Sequence, residues 1–189
     1  MHAPTLLRIQ ARANRLANRR LHAALQALPA AGFHAPRTGF FPSLAETLNH
    51  VLAVDLYYIA CLHGDDRADR LWDGFEPAAD IAALAARQAE SDGRLIAFCD
   101  ALDEAGCDRS VLMPRGEGKV QRDAAAHVLQ HLFMHQTHHR GQAHAMLSGT
   151  PVAPPQLDEF LMPSDAPLRG PDMAALGWDE AAVYSPAAP

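Results

Sequence analysis

Four long segments of the chain carry apolar residues at helical spacing, and stretches rich in glycine and proline separate them. These segments are residues 4–28, Leu44 to Leu62, Pro77 to Gly106, and Asp123 to Leu147. Leu, Ile and Ala recur every three to five positions within them, which is typical of helices with one buried face. The pattern therefore predicts an all-α fold built on four helices.

Capping and turn residues support these helix boundaries. Ser43 and Glu46 have the spacing of a capping box, in which a hydroxyl and a carboxylate satisfy free amides at a helix start. Pro77 suits the first position of the third helix, and Asp123 can cap the fourth. Before the fourth helix, "SVLMPRGEGKVQR" predicts a short hairpin or an irregular crossover.

The proline-rich segment after the fourth helix, residues 151–189, is too apolar for a free tail. We expect it to pack on the helices formed by residues 1–150, within the same domain. The apolar residues behind this expectation are Leu157, Phe160, Leu161, Leu168, Leu176 and Trp178.

Composition excludes several functional classes. The formal charge is −6 and the basic residues form no continuous stripe, so we expect no nucleic-acid binding. No run of 18 apolar residues occurs, so we expect neither a membrane span nor a secretory signal. The three cysteines form no CxxC motif, which indicates reduced thiols in the cytoplasm.

The fourth helix carries most of the candidate site. With His127 set to zero on a helical wheel, His138, His131, His135 and His139 fall at about 20°, 40°, 80° and 120°. The same sector holds the apolar residues Val128, Leu132 and Met146. A single histidine on an apolar face is usually a hydrogen-bonded core residue. Several on one stripe instead favour a bound cation, because each neutral imidazole leaves one nitrogen lone pair to satisfy.

Spacing alone leaves two ligand pairs open. His131 with His135, and His135 with His139, are both four residues apart, which lets two rings reach one metal ion. A third ligand must come from another helix, and His50 on the second helix is the natural candidate. The motif "HQTHH" departs from the zinc-protease pattern because Gln136 stands where a glutamate base is required. The paired Glu-x-x-His motifs of a di-iron bundle are absent.

These motifs resemble the DinB/YfiT-like superfamily of metal-binding four-helix bundles. The resemblance rests on "NHVLAVDLYY", on "HLFMHQTHHRGQAHAML" and on the opening "ANRLANRRL". It implies a four-helix bundle with a metal triad at His50, His135 and His139, and a homodimer. His131, His138, Gln142 and Tyr57 then become second-sphere or pocket residues.

The resemblance also implies a function. Characterised relatives include metal-dependent transferases and isomerases that use low-molecular-weight thiols. We therefore expect one divalent ion per chain, zinc or nickel ahead of iron or manganese, and thiol S-transfer on an unidentified small molecule. The catalytic group would be a metal-bound water or thiolate. A non-catalytic metal sensor or buffer is the alternative, and whether the chain is a transferase, a hydrolase or no enzyme at all stays open.

Overall fold

The computed structural model describes residues 2–184 and is mostly helical, with one small two-stranded sheet. Four helices of the described residues are long, with 19 to 24 residues each, and the others have 10 or fewer. The elements in chain order are α1 (Ala3–Leu25), α2 (Ala30–His34), α3 (Leu44–Leu62), α4 (Arg70–Asp73), α5 (Ile81–Asp100), α6 (Glu104–Asp108), β1 (Ser110–Pro114), β2 (Val120–Ala124), α7 (Ala125–Ser148), a 3₁₀ turn (Pro163–Asp165), α8 (Ala166–Ala175) and α9 (Glu180–Tyr184).

Each long helix packs against two of the others. Helix α1 contacts α5 and α7, and α3 also contacts α5 and α7. Two apolar clusters fill the space between them, and each draws residues from all four helices. Leu7, Tyr57, Leu95 and Leu129 represent one cluster. Leu21, Leu52, Leu84 and Leu147 represent the other.

Helix α3 begins and ends where the sequence predicts. The Ser43 hydroxyl accepts the Glu46 amide at 3.1 Å and donates to the Glu46 carboxylate at 3.2 Å. The helix ends at Leu62, before Gly64, whose φ of 85° a residue with a side chain rarely adopts. This register places His50 two turns inside α3.

The third predicted helix is shorter than expected. Helix α5 begins at Ile81, not at Pro77, because the Asp80 carboxylate caps it by accepting the Ala83 amide at 2.8 Å. The helix ends at Asp100, and Asp103 caps the separate short helix α6. The first helix likewise ends at Leu25, three residues earlier than predicted.

Asp123 is not the cap of the fourth long helix. It belongs to β2, and α7 begins after Ala124, which offers no side-chain cap. The carboxylate of Asp123 accepts the Ala124 amide at 2.9 Å and contacts His127 Nδ1 at 2.8 Å. It therefore sits beside the helix start without satisfying the free amides inside the first turn.

The predicted hairpin is present. Strands β1 and β2 pair antiparallel, with Ser110 opposite Ala124 and Pro114 opposite Val120. The connecting turn uses positive φ angles at Gly116 and Gly118, of 76° and 71°. The Pro114 carbonyl accepts the Tyr57 hydroxyl at 2.7 Å, which fastens the hairpin to α3.

The segment after α7 lies against α1. Phe160, Met173 and Val183 are buried in a third apolar cluster with α1 residues that include Leu16. Arg20 joins the two through ion pairs to Asp172 at 2.7 Å and to Glu159 at 2.8 Å. No helix among residues 2–184 is both long enough and apolar enough to cross a membrane.

Candidate metal centre

Helices α3 and α7 bring three histidines together. His135 and His139 lie one turn apart on α7, and His50 faces them from α3. One ring nitrogen from each lies within 4.8 Å of the other two. His50 Nε2 and His135 Nε2 are 3.0 Å apart. This group can hold a metal ion.

The spacing of the nitrogens is close to what a metal requires. Metal–nitrogen bonds of 2.0 to 2.1 Å in a tetrahedral arrangement separate two ligand nitrogens by about 3.3 Å. The His50–His135 pair is slightly closer than that, and the widest pair must approach by small ring rotations. Imidazole nitrogens suit zinc, nickel, copper and iron, whereas calcium and magnesium prefer oxygen ligands.

Gln142 orients the ring of His139. Its Oε1 lies 2.7 Å from His139 Nδ1, so that nitrogen carries the proton and Nε2 keeps its lone pair. The amide nitrogen of the same glutamine contacts His138 Nε2 at 3.1 Å. An outer hydrogen bond of this kind is the usual way in which a metal-binding histidine is held in one tautomer.

His135 has the most strongly perturbed pKa of the three histidines. Burial, and then the nearby rings of His139 and His50, lower its pKa to about 3. Burial also lowers the pKa values of His50 and His139. All three rings are therefore neutral at pH 7, with lone pairs free for a cation. His135 Nδ1 is buried without a hydrogen-bond partner among residues 2–184.

Phe41 covers the outer side of the group. Its ring centroid lies 4.5 Å from that of His50 and 5.7 Å from that of His139. The loop before α3 that carries Phe41 passes close to α7, and a Cβ added at Gly39 would overlap the end of the Met146 side chain. Phe41 was not predicted from the sequence as part of the site, although the adjacent aromatics Phe40 and Phe41 were a possible signal.

The four residues expected around the triad divide into two pairs. His138 and Gln142 lie beside His139, with the His138 and His139 ring centroids 4.8 Å apart. His131, one turn before His135, packs instead on Tyr58, with ring centroids 5.2 Å apart. Tyr57 is fully buried between Tyr58, Trp72 and the hairpin, where its hydroxyl donates to a backbone carbonyl.

A cavity of about 440 Å³ adjoins His50 on the side away from α7. Its walls are mainly apolar, and Glu46 contributes the only carboxylate among the described lining residues. The lining residues are His34, Phe41, Ala45, Glu46, Asn49, His50, Ala53, Phe75, Pro77, Ala78 and Ala79. An organic molecule with an apolar body could occupy this space while its reactive end reaches the histidines.

A buried polar network supports α7 on its inner side. The Gln136 amide donates to Asp55 at 2.9 Å, and the Gln88 amide donates to the same carboxylate oxygen at 2.7 Å. Gln88 also donates to Asp92 at 3.2 Å. Arg140, next to His139 in sequence, donates to the side chains of Asn14 and Asn18 on α1. The network thus connects the four long helices directly behind the histidine group.

Of two comparisons with known proteins, one gives a match. A search of curated proteins found no match. A model of the DinB family matches residues 2–172, which includes all three histidines and the four long helices. On this match over most of its length, the chain belongs to the DinB family.

Proposed function

We propose that the chain is a metal-dependent enzyme of the thiol S-transfer type, with one divalent ion held by His50, His135 and His139. One observation carries the proposal: three neutral ring nitrogens converge, and no thiol or carboxylate of residues 2–184 joins their group. A tetrahedral ion bound there would have one position left for an outside ligand. Zinc or nickel suits this donor set best, ahead of iron or manganese.

A metal in this position would supply Lewis acidity and would favour the thiolate form of a coordinated thiol. The protein's own thiols are poor candidates for the sulfur. Cys61, Cys99 and Cys107 are all buried, and burial raises the pKa of each. The thiol would therefore be a separate small molecule, and the cavity beside His50 has room for the group it attacks.

Cobalt substitution tests the proposed ligand position. We expect the cobalt-loaded protein to develop a sulfur-to-metal charge-transfer band when a small thiol is added at neutral pH. The matching methyl thioether is the control, since it cannot form a thiolate. If the protein binds cobalt but shows no band with any thiol, the metal site is closed to outside ligands. The function would then be metal sensing or storage without turnover.

We also propose that the four long helices form a four-helix bundle and that the segment after α7 belongs to the same domain. The pairwise packing of α1, α3, α5 and α7 and the contacts of α8 and α9 with α1 support this arrangement. Three free cysteines support a cytoplasmic location.

The protein is further expected to form a homodimer in solution. Exposed apolar side chains such as Phe40 and Met134, with 79% and 73% of their surfaces accessible, are available for burial between subunits. Light scattering at micromolar concentration measures the mass directly. A value near 20.4 kDa, the mass of one chain, would show that the protein is a monomer.

A further inference from the structure

A second pocket lies along the same side of α7 as the histidine group, between that helix, Tyr58 of α3 and the hairpin. It has a volume of about 220 Å³ and is lined mainly by polar side chains. Its lining residues are Tyr58, Met113, Arg115, Gln121, Asp123, His127, Val128 and His131. The proposed catalytic site does not use any of them directly.

Arg115 is fixed in this pocket without a negative partner. Its Nη2 donates to the Tyr58 hydroxyl at 3.2 Å and to Gln121 Oε1 at 2.9 Å. Its guanidinium also lies over the rings of Tyr57 and Tyr58, at 5.3 and 5.6 Å from their centroids. Nη1 is left without a hydrogen bond, and no carboxylate among residues 2–184 forms an ion pair with this arginine.

Other polar side chains of the pocket add further donors. The ring of His131 packs on Tyr58, and neither of its nitrogens has a hydrogen bond within the described chain. His127 uses Nδ1 to contact Asp123 and keeps Nε2 free. Asp123 is the one acidic side chain in the described lining, and its carboxylate is engaged by His127 and the Ala124 amide. Among residues 2–184, the unpaired donors are Arg115 Nη1, the Tyr58 hydroxyl, the Gln121 amide and a ring N–H of His131. His127 Nε2 is an acceptor while Nδ1 donates to Asp123.

We infer that this pocket binds an oxyanion, a carboxylate, at the far end of the small molecule whose thiol reaches the metal. A planar guanidinium held by aromatic rings matches a carboxylate with two parallel hydrogen bonds. His131 lies about 6 Å along the helix axis from His135. The pocket thus selects a thiol whose carboxylate is about one helical turn from its sulfur.

The inference deepens the proposed function and rests on it for the thiol end, but the oxyanion pocket can be tested alone. Metal-free protein is titrated with succinate, and separately with inorganic phosphate, at constant ionic strength. Binding is followed through the imidazole NMR signals of His127 and His131. We expect saturable shifts with succinate, and Arg115→Gln is expected to weaken binding at least about tenfold, because charge-assisted hydrogen bonds to the anion are lost.

Arg122→Gln is the matched control. Arg122 is an exposed arginine on β2, outside the pocket, so this variant removes the same charge from the same hairpin. Its succinate affinity should equal that of the unmodified protein. If both substitutions weaken succinate binding equally, the effect comes from overall charge and not from the pocket, and the inference is wrong. An absence of His127 and His131 shifts with succinate would also overturn it. Binding of phosphate alone would overturn the assignment to a carboxylate.

A second arm separates this inference from the proposed function. Cobalt-loaded protein is titrated with 3-mercaptopropionate and with the neutral 2-mercaptoethanol. We expect the carboxylate thiol to bind about tenfold more tightly, with the preference lost in Arg115→Gln and kept in Arg122→Gln. If the unmodified protein and both variants bind the two thiols with equal affinity, the carboxylate pocket would be overturned but the proposed function would stand. Succinate binding without any thiol band would overturn the function but not the pocket.

Discussion

His135→Ala is expected to weaken binding of a divalent ion by more than about a hundredfold, since even the loss of an outer partner of a ligand costs ten- to a hundredfold. The His135 ring is adjacent to both other members of the group, with centroid distances of 5.0 Å to His50 and 4.5 Å to His139. Removing it leaves two imidazoles, too few to hold zinc or nickel tightly. Equilibrium dialysis with metal analysis, on protein purified without a nickel resin, measures the loss.

His127→Ala is the matched control for that substitution. His127 lies on the same side of α7 but is exposed and contacts Asp123, not the triad. It should bind metal with unchanged stoichiometry and affinity. Gln142→Ala should fall between the two, because it frees the His139 ring without removing a ligand. Unchanged affinity in His135→Ala would show that the three histidines are only core residues.

Metal affinity should also resist acid better than an exposed histidine cluster would. Protons and the metal compete for the same lone pairs, and an unperturbed histidine gains its proton near pH 6.5. Burial lowers the pKa values of all three rings, that of His135 to about 3. The affinity should therefore stay constant through about pH 6.5, where an exposed cluster begins to lose its metal, and decline only at lower pH.

The residues that form the centre were predictable because two of them share one helix. The four-residue spacing of His135 and His139 fixes their relative position wherever α7 packs. His50 needed more than spacing, since its approach depends on how α3 packs on α7. The sequence offered it as the candidate on the facing helix, family resemblance selected His135 and His139 over His131 and His135, and the structure brings the three together.

The structural features that the sequence did not predict depend on competition between helix starts or on contacts between residues far apart in the chain. Pro77 and Asp80 are both good helix starters, and nothing in the sequence says that the hydrogen bond from Ala83 to Asp80 prevails. Phe41 lies in a loop without periodicity, so its place over His50 follows only from the folded path of that loop. Local pattern cannot indicate either outcome.

The buried polar network was also beyond the reach of sequence patterns. Asp55 follows the helical spacing of α3 among apolar residues, and its partners Gln88 and Gln136 come from two other helices. Only tertiary packing brings these groups within hydrogen-bond distance. A fully buried carboxylate at the centre of the helices has a direct consequence for stability, which a single substitution can measure.

Asp55→Asn is expected to make the metal-free protein more stable than the unmodified chain at pH 8. Burial raises the pKa of Asp55 to about 7, and the nearby Asp92 contributes in the same direction. An unfolded chain releases this proton near pH 4, whereas the folded chain holds it to higher pH. The free energy of unfolding therefore falls as pH rises between those values, by up to roughly 4 kcal/mol from this group.

An asparagine at position 55 would avoid this loss and keep the hydrogen bonds. Asp55 Oδ1 and Gln136 Oε1 are buried acceptors without partners among the described residues, and both need a donor. The asparagine amide would supply one permanently, while its oxygen could still accept from Gln88 and Gln136.

Urea unfolding at pH 5 and at pH 8, in the presence of a chelator, should show an advantage in the free energy of unfolding for Asp55→Asn that grows with pH. Asp66→Asn, at a carboxylate with 92% of its side chain exposed, should show no such change. Parallel pH profiles for Asp55→Asn and the unmodified protein would mean that Asp55 is already ionised in the folded chain, with Arg140 neutralising it across the network.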